Sequence, residues 1–294
     1  MFKKLLNSVF RLSNGLIIFC CGILIFPILF LFMPANINRM RIKRFFRIEP
    51  KIPGFVVDDI NSFKWYLPQD DHYIKSISQL KIKKESLKNL IVNKDNYQIK
   101  ETKNFKDNRY SFLKNLSSIS KIEIINRDGI DSNTFLLVPK ESNSKLLIFH
   151  TGHREDFSIF KSSLDFFNSK GFTILFFQMP LRGDNPGLLN NRKRIVKDHE
   201  LLIRFNTKQK SFLSHFITPV VLGLDHVLKN DNFVSISMTG ISGGGWTTVL
   251  TSAIDKRINY SFPVSGSLPL SLRTYDNGDI ENFYFPFYKE YPYL

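Results

Sequence analysis

Along the chain, apolar and polar positions change rhythm three times. From Gly15 to Met33 there are 19 residues without a charge, GLIIFCCGILIFPILFLFM. At helical rise that run is ~28 Å long, about the hydrocarbon thickness of a bilayer, and Pro27 would kink such a helix rather than forbid it. Between Ile74 and Val92, Ile74, Ile77, Leu80, Ile82, Leu87, Leu90 and Ile91 recur among lysines, a spacing that predicts one or two amphipathic helices. From about residue 121 the rhythm becomes that of strands alternating with helices. Lys121–Asn126 and Thr134–Val138 read as strands around the turn Arg127-Asp128-Gly129. Leu146–His150 and Phe172–Gln178 are short, nearly continuous apolar runs, as expected of strands covered on both faces. Val234–Thr239 and Tyr260–Val264 complete the strands. Phe157–Ser169, Ser211–Lys229 and Gly244–Ala253 have helical spacing between them, and Gly171 is placed to stop the first.

This order predicts an α/β fold, a mostly parallel sheet flanked by helices and preceded by one transmembrane helix. The expected divisions are a membrane anchor with basic flanks over 1–48, a helical extension over 49–118, and the α/β domain over 119–294. Hydrophobic residues make up 43% of the 294, enough for a sizeable core and too many for a disordered chain. The two cysteines, Cys20 and Cys21, both fall inside the apolar run, so the remainder has neither a disulfide framework nor a cysteine metal site.

Charge sharpens the anchor. Of the net +15, residues 1–51 supply +8, from nine Lys/Arg against Glu49 alone. Basic residues beside an apolar span favour anionic lipid headgroups by ~1 kcal/mol each, so membrane lipid is an expected partner, through residues 15–33 and the flanking Lys/Arg. No nucleic-acid motif accompanies the charge, and none is expected as a partner. A cleavable signal would have a shorter apolar core and small residues at its exit, where this chain has Phe32-Met33-Pro34-Ala35. Arg39, Arg41, Lys43, Arg44 and Arg47 outnumber Lys3, Lys4 and Arg11, which predicts a single-pass protein with the large domain on the cytoplasmic side.

The chemistry concentrates at Ser235–Trp246, SISMTGISGGGW. A strand runs into Gly240-Ile241-Ser242-Gly243-Gly244, and a helix pattern follows. A serine on so sharp a turn stands clear of the sheet, and Gly240 and Gly244 let strand and helix cross closely. The N–H of Gly243 then faces an oxyanion at the helix's positive end. A second piece, His150-Thr151-Gly152-His153, ends an earlier strand and offers the N–H groups of Thr151 and Gly152 as the other oxyanion donors, with His150 as a structural residue. A third, Met179–Gly187, is a polar turn after the next buried strand. Its Arg182-Gly183-Asp184 reads as part of that turn, not as an adhesion motif.

Together these pieces resemble the α/β-hydrolase superfamily over roughly residues 120–270, toward acetyl xylan esterase-like and prolyl-oligopeptidase-like enzymes. The resemblance implies a serine hydrolase that cleaves a small-molecule ester or amide through a Ser242 acyl-enzyme, with no cofactor. It also implies an acid and then a histidine after the serine. The 52 residues beyond Ser242 contain no histidine; the last is His226. The tail offers Asp276, Asp279 and Glu281 as possible acids, with Asp276 and Asp279 as the candidates, and His153 is a candidate upstream base. An aromatic-rich end, Phe283 to Leu294, adds the expectation of a member shortened at its C-terminus. The alternative is therefore a catalytically incomplete homologue with a binding role or none. The histidines look scattered, and no metal site is expected.

Overall fold

The computed structural model describes residues 74–291 apart from 96, 155–156, 190–194, 197 and 268–278. The apolar run 15–33, its basic flanks and Asp276 lie outside the described residues. Among those that are described, no helix is long and apolar enough to cross a membrane.

A seven-stranded sheet organises the unit. Its strands are β1 (Tyr97–Thr102), β2 (Leu116–Asn126), β3 (Ser132–Pro139), β4 (Lys145–His150), β5 (Thr173–Phe177), β8 (Ser235–Ile241) and β9 (Tyr260–Val264), in the spatial order β1-β2-β3-β5-β4-β8-β9. A separate two-stranded ribbon pairs β6 (Leu188–Leu189) with β7 (Ile195–Val196). The sheet is mixed. β1, β2, β3 and β5 pair antiparallel in turn. β5, β4, β8 and β9 pair in parallel. The expectation of a mostly parallel sheet is thus corrected to half of it: β2 and β3 are joined by a short turn that forces antiparallel pairing, and β1 and β5 add antiparallel on either side of them. The expected helical extension is also corrected. Residues 97–102 form a strand of the main sheet, and β2 begins at Leu116, before the expected boundary at 118. β1 was not anticipated because its sequence, YQIKET, is mostly polar and only its alternate residues are partly buried.

Helices cover both faces. The apolar runs of β4 and β5 alternate between two cores, which is why they are apolar throughout. Leu146, Ile148, Leu175 and Phe177 join Ile122, Ile236 and Met238 beneath α3 (Ser214–Val227). Leu147, Phe149, Ile174 and Phe176 join Phe135, Tyr110 and Phe160 beneath α2 (Lys161–Ser169). α3 is buried along nearly its whole length, between the sheet and its neighbours α1 (Ile77–Ile91) and α4 (Gly243–Ile254). α1 buries only Leu87 and Ile91 and starts at Ser76, whose Oγ accepts the Gln79 N–H. Two short C-terminal helices, α5 (Ile280–Phe283) and α6 (Phe285–Glu290), close the described chain.

β9 differs from its neighbours. All five of its residues are exposed, Tyr260 at 59% and Phe262 at 57%. It pairs only with β8, so among the described residues it forms one edge of the sheet.

Candidate active site

Ser242 joins β8 to α4 with φ 55° and ψ −122°, a left-handed backbone that side chains rarely adopt. The turn is held from both sides. The Ser242 N–H donates to the Val264 carbonyl at 2.9 Å, and its carbonyl accepts the first helical N–H, from Trp246, at 3.0 Å. Ser242 is exposed, at the carboxyl end of the parallel strands. The sharpness of the turn rests on missing side chains. A Cβ on Gly244 would collide with the carbonyl oxygens of His150 and Thr151, and one on Gly240 with the Gly244 carbonyl. The helix therefore begins flush against the ends of β4 and β8.

The loop after β4 lies directly beside the serine. A Cβ on Gly152 would stand 2.9 Å from Ser242 Cβ and 2.7 Å from the Ile241 carbonyl. Thr151 is corrected as an oxyanion donor, because its N–H already donates to the Phe177 carbonyl at 3.0 Å, extending the β4–β5 ladder. Among the described residues no carbonyl takes the N–H of Gly152 or of Gly243. His150 is a structural residue: fully buried, it donates from Nδ1 to the Thr151 carbonyl at 2.8 Å and stacks on Phe177. Burial, against a smaller opposing effect of that carbonyl, pushes its pKa down to about 4, so it is neutral near pH 7.

His153 is the histidine that reaches the elbow. Its ring packs on the backbone of Gly243, where a Cβ would lie 2.7 Å from Cε1 and 2.9 Å from Nδ1. Its Nε2 is 2.7 Å from Glu281 Oε1, and its Nδ1 is 3.3 Å from Asp279 Oδ2. The approach to Asp279 is too oblique for a hydrogen bond, and among the described residues Nδ1 makes none, to Ser242 or to any other group. His199 completes the cluster. Its Nε2–H donates to the Pro180 carbonyl at 2.7 Å, while its Nδ1 lies 3.2 Å from His153 Nε2 and 3.4 Å from Glu281. The expectation that the histidines are scattered and without partners is therefore corrected for His153.

Charge in this cluster is finely set. Burial of Glu281 would by itself raise its pKa, but His199 and His153 outweigh it and hold the carboxyl down to about 2. Burial opposes a proton on His153, yet the hydrogen bond and charge of Glu281, then the charge of Asp279, raise its pKa above the ordinary 6.5. Asp279 is raised, first by burial and then by its neighbour Glu281. Two acids two residues apart are thus pushed in opposite directions, Asp279 up and Glu281 down.

Of the sequence candidates, the structure brings Ser242, Gly243, Gly152, His153 and Asp279 to one end of the sheet. His199 was missed, and Glu281, one of three possible acids in the tail, was not singled out. Neither belongs to a local motif, and they lie 46 and 128 residues from His153 along the chain. The Met179–Gly187 turn is tied down as expected of a structural element. Arg109 grips Asp184 with two 2.9 Å hydrogen bonds, and Asn185 Nδ2 donates to the Gln178 and Met179 carbonyls.

No protein-family model matches the chain, and no curated protein matches it. Among solved structures it is similar to an acetyl xylan esterase from a Paenibacillus species, at 16% identity and TM-score 0.46, over 78% of this chain and 72% of that one. It is also similar to an acetyl xylan esterase from a Thermoanaerobacterium species, at 13% identity and TM-score 0.42, over 71% and 62%. A methylesterase matches at 17% identity and TM-score 0.43, over 71% and 46%. The chain thus spans from under half to nearly three quarters of those proteins' lengths.

Proposed function

We propose that this chain carries a serine hydrolase site of the α/β-hydrolase type, cleaving a small ester through an acyl-enzyme on Ser242. The observation that carries the proposal is the positive-φ serine between a parallel strand and a helix, with Gly152 packed against its side chain. Backbone strain of ~1–3 kcal/mol is retained where the surroundings over-determine it, most often at working sites.

In this reading Ser242 Oγ attacks the ester carbonyl. The proton passes to His153 Nδ1, the nitrogen on the side of the ring that packs on Gly243, while Glu281 holds Nε2–H and balances the imidazolium. The N–H groups of Gly243 and Gly152 receive the negative charge on the carbonyl oxygen. The proton then returns to the leaving alcohol, and water releases the acid by the same route. An amide is the harder substrate for the same apparatus. The base precedes the serine in sequence, and its acid follows it.

A fluorophosphonate probe and a chromogenic acetyl ester test this. Labelling and turnover by the wild type, both lost in Ser242→Ala, are expected. A wild type that is folded yet neither labels nor hydrolyses would favour the second reading, an incomplete site with a binding role. That reading draws on the absence of any hydrogen bond from His153 Nδ1 to Ser242. We further propose that residues 15–33 hold the unit at a membrane; resistance to alkaline carbonate extraction, lost on deleting 1–48, is the expected result.

A further inference from the structure

We propose that His153, His199 and Glu281 form a binding site for a divalent transition metal of the zinc class, beside the Ser242 elbow. The three side chains present one ligand atom each, all within 4.8 Å of one another. His153 Nε2 and His199 Nδ1 are 3.2 Å apart, and His199 Nδ1 is 3.4 Å from Glu281. Tetrahedral arms of ~2.0–2.1 Å separate ligand atoms by about 3.3 Å, so these spacings already fit. Only the 2.7 Å between His153 Nε2 and Glu281 Oε1 has to open, by roughly half an ångström.

Three independent details point to a cation there. The first is tautomeric. A carbonyl can only accept, so the 2.7 Å contact with Pro180 places the proton of His199 on Nε2. With that proton on Nε2, Nδ1 is the ring atom turned toward both His153 Nε2 and the Glu281 carboxylate, the place of a ligand atom. The second is an orphan. Glu281 is 0% exposed, and among the described residues its Oε2 accepts no hydrogen bond, with His199 Nδ1 3.4 Å away. A buried anionic oxygen that accepts no hydrogen bond is costly. The third is the outer shell. Metal-bound histidines hand their other ring N–H to a carboxylate or carbonyl. Here His199 has Pro180 in that place, and Asp279 Oδ2, 3.3 Å from His153 Nδ1 but not in hydrogen-bonding geometry, would take the other after a small reorientation. His153 keeps 17% of its side chain exposed, which leaves a way in. Two imidazoles and one carboxylate fill three tetrahedral positions and leave the fourth to water.

Metal binding and proton transfer exclude one another at His153. A metal on Nε2 fixes the proton on Nδ1, facing Asp279, and removes the lone pair that would serve Ser242. The inhibitory consequence rests on the proposed hydrolase function; the site itself does not. Chelator-treated full-length protein is titrated with Zn2+ by calorimetry, and with Co2+ by visible absorption. One equivalent should bind, with the intense bands of tetrahedral Co2+. His199→Asn and Glu281→Gln, each verified as folded by circular dichroism, should lose at least about 100-fold in affinity, and Asp279→Asn about 10-fold or more. No stoichiometric binding by the wild type, or unchanged binding in both folded ligand variants, overturns the site. Binding with no esterase activity upholds the site and sinks the hydrolase. Activity that one bound equivalent of zinc leaves intact overturns the exclusion.

Discussion

In the proposed mechanism a single proton on His153 decides what the site can do: if the imidazole accepts the serine's proton, the metal-free chain should be active only when that imidazole is neutral. Its pKa is raised, so kcat/KM for an acetyl ester, measured in chelator, should climb with pH through a midpoint above 6.5. Glu281→Gln removes the first-named electrostatic support of that shift and should move the midpoint to lower pH; an unmoved midpoint would assign the titration to another group. The same pair contributes to stability with a defined window. The raised histidine contributes fully below its ordinary 6.5 and loses its share as pH rises through its folded value. The depressed carboxylate contributes above its ordinary 4.5 and loses its share as pH falls through about 2. Denaturant midpoints should therefore be highest between about pH 4.5 and 6.5, and Glu281→Gln should flatten that maximum. At Gly244, Ala should cost at least ~2 kcal/mol of stability, because two backbone carbonyls would have to give way; chemical denaturation reads it. Ser242 and its glycines were legible in the sequence because an elbow is a local constraint, written within five residues. Glu281 was not, since its role comes from partners on two other loops, and nothing in Asp279-Ile280-Glu281 sets it apart from a solvated acidic turn.

At the scale of elements, the C-terminal helices are what carry that carboxylate to the elbow. Tyr288 of α6 accepts the Trp246 indole N–H at 2.5 Å and donates to the Glu281 carbonyl at 3.0 Å. One buried hydroxyl thereby links the first turn of α4 to the start of α5. Tyr288→Phe should leave the indole N–H unsatisfied and destabilise by ~1–3 kcal/mol. If the linkage positions Glu281, the variant should also lose turnover in proportion to its effect on the His153 midpoint; a thermal shift without any kinetic change would confine Tyr288 to stability. The helices and the inner strands were readable from periodicity because β4 and β5 must satisfy two cores at once. β1 was not, since a half-buried edge strand carries a weaker apolar signal.

At the largest scale, the described residues are organised by a mixed sheet whose two borders are made differently. One is β1, polar and charged along YQIKET. The other is β9, with Tyr260, Phe262 and Val264 in solvent at 59%, 57% and 47%. A flat apolar border of this kind is a template for pairing with another chain, and natural proteins usually blunt it with charge. Here β9 itself carries none, although the chain as a whole holds +15. The protein's colloidal behaviour should then be governed by a balance between long-range repulsion and a short sticky seam. Salt shortens the range of that repulsion to about 8 Å at physiological strength and about 3 Å at 1 M, so light scattering should report more self-association as salt is added, contrary to the usual salting-in of a charged protein. Phe262→Lys should abolish the effect while leaving the elbow untouched, and a scattering curve indifferent to both salt and that substitution would show that the seam is inert.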